Sequence, residues 1–95
     1  MKFENHCKES ERLFGKCFED VHRWLDAYAG SPQHGMRHRK VRHHEEGVRQ
    51  IERMYGHFAA QAAKQHIISD LMEEGWTYTD PFPLNEDDYV RFGFF

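Results

Sequence analysis

The sequence predicts an all-α domain, a compact bundle of about four helices covered by an aromatic C-terminal strap. Three observations support this prediction. Glycine and proline divide the 95 residues into segments of helical length. Within these segments, apolar side chains recur every three or four residues, which is the spacing of one helix face. The links between the segments are short, which favours antiparallel neighbours around one modest core.

The predicted helices each end at or near a glycine, at Gly15, Gly30, Gly56 and Gly75. They cover approximately residues 4–14, 18–29, 36–56 and 58–74. The side chains expected in the core are Trp24, Leu25, Val48, Ile51, Ile67 and Leu71. We therefore assign residues 1–75 to a helical domain and residues 76–95 to a tail that packs on this domain or on a partner.

Composition excludes several classes of protein. The formal net charge is −3, with 31% charged residues, which argues against general nucleic-acid binding. No apolar run is long enough for a membrane span, and the first ten residues lack an apolar signal core, so we expect a cytoplasmic protein. In that reducing compartment, Cys7 and Cys17 are expected to be buried thiols in preference to a disulfide.

Histidine is over-represented, with 8 residues among 95. Each predicted helix offers one histidine at or beside its inward face: His6, His22, His44 and His66. In the first helix, His6 and Ser10 lie beside an apolar stripe of Phe3, Cys7 and Phe14. In the third helix, His44 takes the place of a core residue, whereas His43 is expected to face solvent.

Two segments share one spacing of histidine and aspartate. The sequences HRWLD and HIISD place His22 four residues before Asp26, and His66 four residues before Asp70. That spacing is one helical turn, so both members of each pair share a face. Either both members ligate a metal, or the aspartate orients the histidine. The predicted metal ligands are His6, His22, His44, His66, Asp26 and Asp70.

Zinc is the first metal expected, by availability, while iron, manganese and nickel also suit these ligands. The alternative is a metal-free network of histidine and aspartate that holds the core together. The basic residues between Met36 and Arg42 spread over several directions, as in a solvated face. Arg37 is the exception, because it tends inward and is a candidate contact for an anionic ligand or for an aspartate.

The sequence contains no glycine-rich phosphate loop and no nucleophile elbow. A binding or regulatory protein is therefore favoured over an enzyme. The alternative is a small metal-dependent hydrolase, in which a metal-activated water attacks a phosphate or an amide.

The tail has a different composition from the helical domain. It carries seven of the 14 aromatic residues, and Pro81 and Pro83 forbid one continuous helix. We expect a strap over the core or a docking surface for a protein partner or a second copy, and no specific nucleic-acid site. The residues expected to bind that partner are Tyr89, Phe92, Phe94 and Phe95.

The order of these motifs resembles a family of small histidine-rich domains of unknown function from bacteria, archaea and their viruses. The resemblance covers about residues 6–75 and is carried by His6, Ser10, HRWLD, RHR at residues 37–39, HH at residues 43–44, and QHIISD. It implies that the polar residues form one pattern. A viral origin, which the resemblance allows, would favour an inhibitor of a host defence system. Metal phosphohydrolases with histidine and aspartate ligands are similar in residue type, but their adjacent His–Asp pair is missing here.

Overall fold

A computed structural model describes residues 2–27 and 41–92. These residues contain five α-helices and no strand, which confirms the all-α prediction. The helices are α1 (Phe3–Phe14), α2 (Glu19–Leu25), α3 (Glu45–Tyr55), α4 (His57–Glu73) and α5 (Glu86–Arg91). The helical segments predicted within residues 28–40 lie outside the described residues.

Glycine defines the ends of two of these helices. Gly15 ends α1 with φ of 85°, and its N–H donates to the carbonyl of Glu11. Gly56 separates α3 from α4 with φ of 98°. Both torsions lie in the region that L side chains rarely adopt, so these glycines fix where the helices turn.

Helix α4 lies at the centre of the bundle and contacts α1, α2 and α3. Its alanines at positions 59, 62 and 63 are buried, which allows the neighbouring helices to approach closely. The predicted core residues Leu25, Val48, Ile51, Ile67 and Leu71 are buried. Trp24, also predicted to be buried, is only half-buried.

The guanidinium of Arg42 covers the exposed part of Trp24. Its carbon lies 4.1 Å from the ring centroid, and Nη1 donates to the Trp24 carbonyl at 2.8 Å. The Arg42 guanidinium packs on the Trp24 ring in the place of an apolar side chain, because the face of an aromatic ring attracts a cation. The tryptophan therefore lies at the margin of the core.

Helix α1 buries a polar face. Its fully buried residues are His6 and Ser10, whereas Phe3 is 37% exposed and Leu13 is 44% exposed. The apolar stripe predicted for this helix therefore does not form its inner face. The reason is that the helices packed against α1 present polar side chains to it, His22 to Ser10 and Asp70 to His6.

The predicted third helix is interrupted. Val41 and Arg42 are helical, residues 43 and 44 form a bend, and α3 begins only at Glu45. Gly47 permits this bend, because a Cβ at this position would overlap the carbonyl oxygen of Arg42. A helical wheel drawn through residues 36–56 therefore assigns wrong directions to the side chains near the break.

The two cysteines are joined. Cys7 of α1 forms a disulfide with Cys17, and the Cα atoms lie 4.4 Å apart. The expectation of two buried thiols is therefore wrong, and both residues are only half-buried. Closing a loop this short contributes about 2–3 kcal/mol through the unfolded chain. None of the helices in the described ranges has the length and apolar character needed to cross a lipid bilayer.

The tail packs on the helices in residues 76–92. Trp76 and Tyr89 belong to the core, with 5% and 1% exposure. The Tyr89 hydroxyl donates to the carbonyl of His43, and the N–H groups of Glu45 and Glu46 donate to the carbonyls of residues 83 and 84. Hydrogen bonds with residues 83, 84 and 89 of the tail thus hold the start of α3 in place.

This packing corrects one part of the predicted partner surface. Tyr89 is enclosed by the chain itself, so it is not available as a partner contact. Phe92 is half-buried, and Phe94 and Phe95 lie outside the described residues.

Candidate metal centre

Four side chains converge where α2, α4 and the bend before α3 meet. Asp26 is the C-cap of α2, His43 lies in the bend, and His66 and Asp70 lie one turn apart on α4. One nitrogen or oxygen from each residue lies within 4.8 Å of the other three. Helix α4 therefore supplies half of the cluster, and the other half comes from two separate segments of the chain.

The distances within this cluster are nearly equal. His43 Nε2 lies 3.3 Å from Asp26 Oδ1 and 3.2 Å from Asp70 Oδ2. His66 Nε2 lies 3.5 Å and 3.3 Å from the same two oxygens. A tetrahedral zinc ion with bonds of about 2.0–2.1 Å has edges of about 3.3–3.4 Å between its ligand atoms. The four separations between a histidine nitrogen and a carboxylate oxygen bracket that value, and the other two pairs, His43–His66 and Asp26–Asp70, lie within 4.8 Å.

The orientation of His66 is informative as well. Its Nε2 is buried and has no hydrogen-bond partner among the described residues, although two carboxylate oxygens lie within 3.5 Å. The distances suit a hydrogen bond, but the directions do not. A lone pair on this nitrogen would suit a metal ion shared with those oxygens, whereas His43 Nε2 lies in hydrogen-bonding geometry with Asp70 Oδ2 at 3.2 Å.

The other nitrogen of His66 is held by a buried chain of hydrogen bonds. His66 Nδ1 lies 2.8 Å from His22 Nδ1, and His22 Nε2 lies 3.0 Å from Ser10 Oγ. If His66 binds a metal through Nε2, its proton resides on Nδ1 and is donated to His22. His22 then carries its proton on Nε2 and donates to the Ser10 hydroxyl. An outer partner of this kind fixes the ring and the tautomer of a ligating histidine.

His6 acts on the cluster from α1. Its Nε2 lies 3.1 Å from Asp70 Oδ1, the carboxylate oxygen that does not face His43. Its ring also stacks on His66, with centroids 3.5 Å apart and an interplanar angle of 12°. Asp70 thus uses one oxygen toward the cluster and the other toward a histidine that orients it.

The two carboxylates are held in the anionic form. Burial alone would raise the pKa of Asp70, but hydrogen bonds from His43, His6 and His66 bring this pKa well below its ordinary range. The pKa of Asp26 is lowered in the same way, against its burial, by His43 and His66. Two anions beside imidazole rings in a buried site create a strong local demand for positive charge.

This environment shifts the pKa values of the histidines in opposite directions. Burial would lower the pKa of His66, but the adjacent carboxylates of Asp26 and Asp70 raise it. Burial and the neighbouring histidines lower the pKa of His22 to about 4. Burial likewise lowers the pKa of His6. A cation is therefore favoured between the two carboxylates and disfavoured at His22.

The structure corrects the predicted roles of the adjacent histidines. His44, predicted as a ligand, is the N-cap of α3: its Nδ1 accepts from the Gly47 N–H at 3.1 Å, and its Nε2 donates to the Val41 carbonyl at 2.9 Å. His43, predicted to face solvent, is fully buried in the cluster. The bend at residues 43–44 breaks the helical register and so exchanges the two directions.

The remaining predicted metal ligands lie in the cluster or next to it. Asp26, His66 and Asp70 form the cluster together with His43, while His6 and His22 lie next to it as orienting partners. Arg37 lies outside the described residues. Ser10 was noted only as a neighbour of His6. The spacing of four residues between them, which places both on one face of α1, is the signal that could have assigned it to the site.

One side of the centre reaches solvent. The side chain of Asp26 is 25% exposed, whereas those of His43 and His66 are 0% exposed and that of Asp70 is 3% exposed. An ion therefore has an entry path past Asp26. With all four protein donors engaged, a tetrahedral ion has no position left for water, which is the pattern of a structural metal site.

The fold and the cluster define a class of small helical protein with a buried histidine–aspartate centre. The chain belongs to the family described as a domain of unknown function, DUF6915, whose model matches residues 1–86. This match extends beyond helix α4 into the tail. Searches of the curated proteins and of the solved structures gave no match.

Proposed function

We propose that this protein is a small metal-binding module that holds one divalent transition metal ion, zinc first, between Asp26, His43, His66 and Asp70. The observation that carries the proposal is that each of the two histidine nitrogens lies 3.2–3.5 Å from both carboxylate oxygens, so that all four donors surround one point at a distance suited to a zinc-sized ion. The ion would tie the end of α2 and the bend before α3 to the central helix.

The rival explanation is a metal-free network, and two features argue against it. The buried carboxylate of Asp70 and the partly exposed carboxylate of Asp26 repel each other less when a cation lies between them. A proton on His66 would supply such a charge, and the two carboxylates raise the pKa of this histidine, but its Nε2 makes no hydrogen bond to either of them. A metal ion satisfies both requirements, because it is a cation and accepts lone pairs from all four donors.

The donor set favours zinc over the other metals considered. Two imidazoles and two carboxylates are borderline and hard ligands that several divalent ions accept. Zinc is placed first because four-coordinate sites of histidine and carboxylate ligands are common for it. Manganese and iron usually recruit further oxygen or nitrogen ligands toward octahedral geometry, and the buried side chains around His43 and Asp70 leave little room for them.

We propose a structural role for the metal, and a binding or regulatory role for the protein. The bend that contains His43 also contacts the tail, because the Tyr89 hydroxyl donates to the backbone carbonyl of His43. Binding the metal would therefore make the tail surface rigid as well. A module that presents a fixed surface to a partner needs this property, including the inhibitor role that a viral origin would favour.

The test uses the ligand that is least needed for folding. Asp26 is partly exposed, so Asp26→Asn is expected to fold, and the exposed Asp20→Asn on the same helix is the matched control. Each protein is stripped with a chelator, and zinc affinity is measured by competition with a chromophoric chelator. Wild type and D20N should bind one zinc per chain, and D26N should bind at least roughly 10–100-fold more weakly. Equal binding by D26N, or no stoichiometric binding by wild type, contradicts the proposal.

A hydrolytic function is the second candidate, and the exposure of Asp26 is the observation that favours it. If this carboxylate moved aside, water could take its position on the metal and become a nucleophile at neutral pH. Zinc-loaded protein would then cleave a simple phosphate ester or amide, and D26N would retain or increase that activity. Cobalt substitution distinguishes the two roles, because a site open to water shows a pH-dependent visible spectrum.

A further inference from the structure

A second group of potential metal ligands lies on α1 and in the turn that follows it, apart from the histidine–aspartate centre. Cys7 Sγ, Cys17 Sγ and a carboxylate oxygen of Glu11 all lie within 4.8 Å of one another. The two cysteines are half-buried and Glu11 is exposed, so the group reaches solvent directly. The two sulfur atoms are joined as a disulfide in this structure.

Glu11 lies next to the disulfide on the exposed side of α1. It follows Cys7 by one helical turn, and its Oε1 lies 3.4 Å from Cys7 Sγ. A disulfide sulfur carries no proton to donate, so the carboxylate gains no hydrogen bond from this contact. The same position makes Glu11 a third donor once the sulfur atoms are free to ligate a metal.

We propose that reduction of the Cys7–Cys17 disulfide creates a second site for a thiophilic divalent ion such as zinc, with Cys7, Cys17 and Glu11 as ligands. The fold already holds the two cysteines together, because Gly15 turns the chain between them with its N–H on the carbonyl of Glu11. Thiolate ligands are soft, and this site would differ in chemistry from the centre of imidazoles and carboxylates.

The conversion is balanced by an external dithiol reductant. Two electrons and two protons from the dithiol break the S–S bond and give two protein thiols, while the reductant closes to its own disulfide. Binding of the ion then displaces both thiol protons to solvent, leaving two metal–sulfur bonds and one bond to the carboxylate oxygen. A fourth position remains for water, since this part of α1 faces solvent.

Cobalt(II) titration of the full chain tests this inference. Thiolate ligation to cobalt gives an intense near-ultraviolet charge-transfer band, which nitrogen and oxygen ligands do not give. The reduced protein should bind one more cobalt ion per chain than the oxidised protein and should show that band. The double variant Cys7→Ser, Cys17→Ser should lack both the band and the redox dependence.

Glu11→Gln supplies the second, independent measurement, with Glu4→Gln on the same helix as its matched control. E11Q should weaken the thiolate site by at least the roughly 10–100-fold that losing an outer partner costs, whereas E4Q should bind as wild type does. Absence of the band in the reduced protein overturns the proposal. So does equal affinity of E11Q and E4Q, which is also the result expected if reduction merely unfolds the chain and exposes two thiols. Failure of the histidine–aspartate centre would leave this band unchanged, so the two proposals are tested separately.

Discussion

Asp70→Asn is the most informative single change in the centre. It preserves the size of the side chain but removes the charge that serves two histidines, at 3.1 Å from His6 and 3.2 Å from His43. The replaced oxygen also lies 3.3 Å from His66 Nε2. The variant therefore removes the charge of a metal ligand and one of the two oxygens that accept buried hydrogen bonds, and it places an amide NH2 in that oxygen's position.

The loss of stability can be worked from these contacts. Hydrogen bonds to a charged group contribute about 1.5–3 kcal/mol each, and breaking one side of a buried charged pair costs about 3–5 kcal/mol. We expect the metal-free D70N to lose about 3–5 kcal/mol in its free energy of unfolding. Zinc at a thousand times its dissociation constant should stabilise wild type by about a further 4 kcal/mol, and this increment should vanish in D70N.

The assay is urea unfolding followed by the fluorescence of Trp76, which is 5% exposed in the core. Each protein is unfolded in chelator and in excess zinc. Asp88→Asn is the control, because Asp88 is a buried carboxylate outside the centre that accepts from the Leu84 N–H at 2.8 Å. D88N should lose stability but keep the zinc increment. A zinc increment in D70N equal to that of wild type would refute the assignment of Asp70 as a ligand.

Three further outcomes are expected. His43→Gln should abolish zinc binding measured by chelator competition, while His44→Gln should lower the melting temperature through the lost N-cap yet bind zinc, and the reverse pattern would contradict the corrected roles. His22 titrates at a pKa of about 4 in the folded chain against an ordinary 6.5, so the unfolded chain takes up this proton first and stability is lost as pH falls from 6.5 to 4. This loss is about 3 kcal/mol in the metal-free chain, and His22→Asn should remove it from urea unfolding curves; an unchanged pH dependence would show that other groups cause it. Tyr89→Phe should weaken zinc binding, because it removes the hydrogen bond that holds the backbone carbonyl of His43, whereas Tyr78→Phe at an exposed position should not. Equal zinc affinities of the two variants would show that the tail does not support the metal centre.

The sequence was sufficient where regular helix continued through the residues concerned. His66 and Asp70 lie one turn apart on α4, as their spacing predicts, and Leu25, Ile51 and Ile67 occupy the core. The convergence of His6 and His22 on this region also follows from helix faces. In each case the periodicity of 3.6 residues is enough, because the helix has no break.

The sequence was insufficient where the chain leaves the helix. Helical spacing assigned opposite directions to His43 and His44, but the bend before Glu45 exchanged them. Gly47 inside a long predicted helix was the available signal, since a glycine there indicates a close approach of the backbone. The pair Glu45 and Glu46, in the first turn of α3, was a second signal of a helix start.

The sequence predicted His6 at or beside the inner face of α1, but it did not predict that polar side chains would form this face in place of the apolar stripe. Phe3 and Leu13 are more apolar than His6 and Ser10, so the hydrophobic pattern directs the wrong face inward. His6 and Ser10 point inward because of partners more than ten residues away in the sequence. Ser10 forms a hydrogen bond with His22, and His6 forms one with Asp70. The disulfide differs from the expectation for a reducing compartment, because the turn at Gly15 brings Cys7 and Cys17 together.

X-ray absorption at the zinc edge of the oxidised, zinc-loaded chain tests the central claim most directly. With Cys7 and Cys17 joined, the account predicts only nitrogen and oxygen neighbours at roughly 2.0–2.1 Å, with the multiple scattering of two imidazole rings from His43 and His66. A shell of sulfur at roughly 2.3 Å, or a shell of oxygens without imidazole, would place the ion elsewhere and contradict the account.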